Sequence, residues 1–174
     1  MIRIASVLIA LLLAQPLQAA QDSESFRTLY EQEWAFRLKE FPLLASGVGV
    51  HNYDDRLGRV SPADQQRRHA FWQDIRARLD MISCDRLERS ECIDYRIFKR
   101  QVEAAITDYE IRAYLIPFNS DWGFYMAWTR LPDDTEFAGE QDYRNYLARL
   151  AELPAVMDEY IGLMREGLRT GMTQ

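Results

Sequence analysis

Ile116-Pro117-Phe118-Asn119-Ser120-Asp121-Trp122-Gly123-Phe124-Tyr125-Met126-Ala127-Trp128-Thr129-Arg130-Leu131-Pro132 is the stretch on which the fold turns. Pro117 and Pro132 end helices, because proline lacks the backbone donor and restricts the residue before it. The stretch therefore separates two helix-rich halves. Phe118, Trp122, Phe124, Tyr125 and Trp128 are concentrated between the prolines. Two readings fit this density: an irregular segment packed into a helical core, or a wall of a substrate groove. On the second, Trp122, Tyr125, Trp128 and Arg130 are the candidate channel lining.

Upstream, the apolar positions recur every three or four residues. Ser90 can cap a helix reaching about Leu115, with Ile93, Ile97, Phe98, Val102, Ala105, Ile106 and Tyr109 as its buried face. Before it, Ser61-Pro62-Ala63-Asp64 is a strong helix start, with a capping serine, a first-turn proline and a first-turn carboxylate. That helix runs to about Ile82 and places Phe71, Ile75, Leu79 and Ile82 inside, Arg67 and Arg68 outside. Ser25 to Phe41 forms another amphipathic helix, with Phe26, Leu29, Tyr30, Trp34 and Leu38 inside and Glu33 and Glu40 mainly elsewhere. Pro42 stops it, and residues 43–55 read as a loop. Gly47 and Gly49 there give a Gly-x-Gly, but Asn52 stands where a dinucleotide fingerprint wants glycine.

Downstream of the aromatic stretch, Asp133-Asp134-Thr135-Glu136 is an acidic loop. Glu140 to Leu153 is a helix with Tyr143, Tyr146, Leu147 and Leu150 inside and Arg144 and Arg149 outside. Pro154 is expected to break it and to start a last helix carrying Val156, Met157, Tyr160, Ile161, Leu163, Met164 and Leu168. No segment alternates as a strand does. The expected fold class is all-α, a bundle-like array of about five helices plus an N-terminal signal helix.

Residues 1–20 have the three-part build of a secretory signal: Met1-Ile2-Arg3, an apolar run from Ile4 to Leu13, and small residues before a cut after Ala19 or Ala20. The run is shorter than the roughly 20 apolar residues a bilayer span needs. The expectation is a protein exported to the periplasm or secreted, with no stable membrane span after cleavage and a helical domain over residues 21–174. A formal charge of -6, with lysine only at Lys39 and Lys99, speaks against nucleic acid as a partner, since phosphate binding rests on clustered basic residues. Cys84 and Cys92 are a candidate disulfide in an oxidising compartment; two free, half-buried thiols are the alternative.

Chemistry-bearing motifs are sparse. His51 and His69 are the only histidines, and no His-Glu-x-x-His, Glu-x-x-His, Gly-x-Ser-x-Gly or phosphate-cradling loop occurs. Asp133, Asp134 and Glu136 read as a solvated turn before they read as a glycosidase pair. No catalytic residue, metal ligand or cofactor is assigned.

The order of four segments carries a resemblance: Phe26 to Trp34, then Phe41-Pro42-Leu43-Leu44-Ala45-Ser46-Gly47-Val48-Gly49, then Asp142-Tyr143-Arg144-Asn145-Tyr146-Leu147-Ala148-Arg149-Leu150, and last Met164 to Thr173. Together they resemble the N-terminal third of the bacterial domain-of-unknown-function 885 family. The resemblance implies an exported, largely helical, zinc metallopeptidase-like protein. The family's metal motif, His-Glu followed by Pro-Gly-His-His, belongs to a later region of longer chains, and none of it maps onto a residue here. The expected function is accordingly the helical front segment of such a protein, without the zinc motif and non-catalytic alone. The alternative is a free-standing periplasmic binding or adaptor module. The expected partners are a peptide substrate or the C-terminal part of the family fold, with self-association through uncovered apolar stripes.

Overall fold

The computed structural model describes residues 2–173, with side chains from residue 18 to 173. The signal-peptide expectation for residues 1–20 rests largely on side chains outside the described residues. The chain is 73% helical, and its six α-helices are accompanied by no strand among the described residues. They are α1 (Ile2–Glu40), α2 (Pro42–Gly47), α3 (Pro62–Leu79), α4 (Arg89–Glu110), α5 (Tyr125–Thr129) and α6 (Glu140–Thr170). Among the described residues, none of them is long and apolar enough to cross a membrane.

The start of α3 follows from local chemistry. The Ser61 hydroxyl accepts from the Asp64 amide at 3.3 Å, the Asp64 carboxylate accepts from the Ser61 amide at 3.2 Å, and Pro62 occupies the first turn. Two otherwise orphaned donors are thereby satisfied. α3 then packs against both α1 and α4. Their shared core holds Phe26 and Leu29 of α1, Trp72, Ile75 and Leu79 of α3, and Tyr95, Phe98 and Val102 of α4. Burying each such side chain contributes about 1.5–3 kcal/mol. The Tyr95 hydroxyl donates to the Leu79 carbonyl at 3.0 Å, which lets a polar tip sit inside this core. Cys84 and Cys92 are joined by a disulfide across the α3–α4 connection, with Cα atoms 5.1 Å apart.

Several sequence expectations are corrected. Tyr95, not Ile93 or Ile97, belongs to the buried face of α4; the two isoleucines are about half exposed. α4 carries apolar residues on two sides, and the side that meets α3 is the one bearing Tyr95, Phe98 and Val102. The helix ends at Glu110 because Arg112 adopts a left-handed conformation, φ 61°, the position after a helix that glycine usually fills. The segment after Pro42 is not all loop: the proline takes the first position of α2.

Pro154 lies inside α6 and does not break it. It removes one helical donor, but the helix is anchored on both sides of it. Arg149 and Glu152 hold the preceding turn and Val156 the next. Glu33, Glu40, Arg68 and Arg149 are buried, against the expectation of solvated positions. Each has long-range partners. Glu33 accepts from the Trp72 indole at 3.1 Å, and Glu40 accepts from Arg68 at 2.9 Å and from Arg67 at 2.7 Å.

Tyr143 and Leu147 of α6 are exposed, because the helix turns a polar stripe inward instead. Glu152 accepts from the Leu57 amide at 2.6 Å and Glu159 from the Val60 amide at 2.9 Å. These carboxylates satisfy the backbone of an irregular segment that has no ladder of its own. Further along, Gly167 lets α6 approach the turn Ala113–Leu115 closely: a Cβ there would stand 2.9 Å from the Leu115 carbonyl.

Candidate functional site

The widest concavity is an aromatic bowl of about 970 Å³. α3 supplies its floor through Trp72, α1 one wall through Trp34, Arg37 and Phe41, and α4 the other through Gln101, Ala104, Asp108 and Tyr109. The turn after α4 and the aromatic stretch close its end with Tyr114, Ile116, Pro117 and Trp122, and α6 adds Tyr160 and Leu163. A smaller recess of about 220 Å³ adjoins it, sharing Phe41, Val60, Arg68, Trp122 and Tyr160 and adding Phe124 and Trp128.

Pro117 to Phe124 folds as a tight reversal. The Asn119 side chain accepts from the Asp121 and Trp122 amides, both at 2.8 Å, and Phe118 pairs with Gly123 across the turn. Asparagine is suited to this because its side chain mimics a backbone acceptor two or three residues on. The reversal presents Trp122, which is 57% exposed, to both cavities. Phe124 stacks on Tyr160 with ring centroids 4.0 Å apart, and Trp128 meets Tyr160 edge-on at 5.8 Å. Burial among these rings pushes the Tyr160 hydroxyl above its ordinary pKa, so it stays a neutral phenol at physiological pH.

Of the four residues proposed from sequence as channel lining, Trp122 and Trp128 come together at the recess. Tyr125 is half exposed and packs edge-on against Phe124. Arg130 points to solvent, 4.0 Å from Asp134. Sequence reasoning missed Trp34, Trp72 and Tyr160, which had the spacing of core stripes. Their role as walls comes from α1 and α4 separating over α3, which no local pattern encodes.

The charges in the bowl are mostly compensated. Arg37 donates to Glu33 and Arg68 to Glu40, each at 2.9 Å. His69 is not part of a polar constellation: it stacks on Tyr109 at 4.1 Å, with Glu110 3.8 Å from its Nε2. A second cleft, of about 320 Å³, lies between residues 46–54 and the acidic loop, and His51, Asp54, Asp134, Glu136 and Asp142 line it. Most of these groups already have structural roles. Asp54 meets His51 at 2.8 Å and Arg149 at 3.1 Å, and Asp142 caps α6 by accepting from the Ala138 and Gly139 amides.

Among the described residues, no group of three or more His, Cys, Asp or Glu side chains could hold a metal ion. Both cysteines are in the disulfide. A zinc site needs about three converging protein ligands, so the residues present do not fit the zinc centre that the resemblance implies. What the arrangement can do is bind: an apolar, aromatic concavity with a few polar groups at its edge.

The sequence model of a family described as "Bacterial protein of unknown function (DUF885)" matches residues 42–174. Of the four segments that carried the resemblance, the one from Phe26 to Trp34 lies outside this match. Neither a curated protein nor a solved structure matches the chain significantly.

Proposed function

We propose, for a chain that belongs to the DUF885 family of bacterial proteins, that it is the helical N-terminal segment of an exported, metallopeptidase-like protein and is not catalytic by itself. The aromatic bowl is then one wall of the substrate channel, and the zinc-holding residues come from other polypeptide. The observation that carries this reading is the bowl itself: Trp34, Trp72, Trp122 and Tyr160 line a large concavity whose arginines are already neutralised by Glu33 and Glu40. Such a wall positions a ligand and offers no nucleophile or general base of its own. The Cys84–Cys92 disulfide supports export, since such bonds persist in oxidising compartments.

The test is made in a longer family member that cleaves peptides. Replacing the residues matching Trp122 and Trp128 with alanine is expected to weaken peptide affinity about tenfold, the loss of one buried aromatic contact; unchanged affinity refutes the channel role. One observation favours a second reading, a free-standing helical binding or adaptor module in the same compartment: every wall of the bowl comes from this chain. Saturable ligand binding by the isolated chain, with no effect of these substitutions in the longer relative, selects it.

A further inference from the structure

α1 and α4 touch along Ser23, Phe26 and Tyr30. Ser23 donates to Glu91 at 2.6 Å, and Tyr30 meets Phe98 edge-on with centroids 5.4 Å apart. Beyond Tyr30 the two helices separate and Trp72 of α3 becomes the floor between them. The result is one continuous valley. A shallow part of about 470 Å³ over Phe26, Tyr30, Ile97 and Phe98 leads past Gln101, which lines both parts, into the aromatic bowl. Along α4 the valley extends from Glu91 to Tyr109, about 27 Å at 1.5 Å per residue, or five helical turns. Tyr30 and Ile97 in it are 52% and 53% exposed. An apolar trough of this length between two helices is shaped to receive the apolar face of a third.

The two edges of the valley differ in charge. On α1, Arg27 and Glu31 cancel, and the deeper Arg37 and Arg68 are held by Glu33 and Glu40. On α4, Glu91, Asp94 and Asp108 all line the valley. Asp94 and Asp108 have no ion-pair partner among the described residues, and Glu91 accepts only from the Ser23 hydroxyl. Lys99 is engaged with Asp80 at 2.7 Å. Arg96 and Arg100 lie about a third of a turn or more around α4 from Asp94, at 3.6 residues per turn.

We propose that this valley docks an amphipathic helix of another polypeptide segment, one that carries lysine or arginine along the edge facing α4. Its apolar face covers Tyr30, Ile97, Trp34 and Trp72, and its basic edge meets Asp94 and Asp108. The valley shares the bowl with the channel reading, but its test needs neither catalysis nor a longer relative, so the two fail separately.

The probes are three synthetic 18-residue peptides: a leucine-faced helix with lysine edges, the same helix with glutamate edges, and the lysine peptide with a central proline. Binding to the full chain is measured by calorimetry and by tryptophan fluorescence at low salt. The lysine helix is expected to bind one-to-one and about tenfold more tightly than the glutamate helix, the size expected of a few rim charges. Asp94→Asn with Asp108→Asn is expected to shrink that ratio to about threefold or less. Ile97→Asp, at an exposed position that leaves the fold intact by circular dichroism, is expected to abolish binding. Absence of saturable binding, equal affinity for both charges, or equal affinity for the proline-broken peptide overturns the proposal. So does sedimentation showing a dimer that Ile97→Asp dissociates and that no peptide displaces, which assigns the valley to a second copy.

Discussion

Arg149→Met removes a guanidinium that holds α6 to the segment after α1. Its side chain is only 4% exposed. It donates to Asp54 at 3.1 Å, to the Tyr53 and Arg56 carbonyls at 3.2 Å, to the Pro42 carbonyl at 3.5 Å, and to the Ser46 hydroxyl. Burial lowers the Arg149 pKa, and the pull of Asp54 only partly offsets that. The charge is thus tolerated because its acceptors surround it. Removing one member of a buried pair costs about 3–5 kcal/mol, mostly through the partner left behind. Asp54 is 18% exposed and keeps His51 and Ser46, which places the cost near the lower end, about 3 kcal/mol. At about 2–4 °C per kcal/mol for a chain of this size, the melting temperature should fall by about 6–12 °C. Urea unfolding followed by circular dichroism measures the loss, and a double-mutant cycle with Asp54→Asn isolates the pair. The double variant should cost little more than Arg149→Met alone. A loss below about 1 kcal/mol, the range of an exposed ion pair, would refute the view that Arg149 is the anchor of α6.

Gly167→Ala should destabilise, although alanine normally stabilises a helix interior by about 1 kcal/mol, because the new Cβ would meet the Leu115 and Met172 carbonyls at 2.9 and 2.8 Å; an unchanged urea midpoint would show that α6 can shift outward freely. Replacing Cys84 and Cys92 together with serine should cost about 2–3 kcal/mol through the short loop they close, and reduction of the native chain should reproduce the loss in thermal unfolding. Burial by itself would raise the Asp64 carboxyl, but hydrogen bonds from Ser61 and Arg67 outweigh it and hold the pKa below its ordinary 3.8. A depressed folded-state pKa contributes stability that is present above the unfolded value and lost as pH falls through the folded one. Stability should therefore drop below about pH 3.8, and Asp64→Asn should flatten that part of the pH profile; an identical profile in the variant would remove the capping box from the explanation.

The all-α architecture was legible where local rules decide. Ser61, Pro62 and Asp64 announce the start of α3 within four residues, and Leu29, Ile75, Leu79, Phe98 and Val102 recur at helical spacing and are all buried. The misread positions depended on distant partners. Arg149 and Glu33 look solvated until Asp54 and Trp72 are brought to them from 95 and 39 residues away. α4 offered two apolar sides, and only α3 chose between Tyr95 and the Ile93–Ile97 stripe. Its end at Arg112 was hidden because a left-handed residue after a helix is usually glycine. Pro154 misled because a proline acceptable at a first turn is also tolerated mid-helix when the flanking turns are anchored. The candidate site was half visible: the aromatic stretch identified Trp122 and Trp128, while Trp34, Trp72 and Tyr160 became walls only through the separation of α1 from α4.

The central claim is that these residues build a binding wall without a catalytic metal set. Zinc titration of the purified chain by calorimetry, with peptide hydrolysis followed in the same samples, tests it most directly. The expected result is no stoichiometric zinc site and no cleavage; one-to-one zinc uptake accompanied by peptide hydrolysis would contradict it.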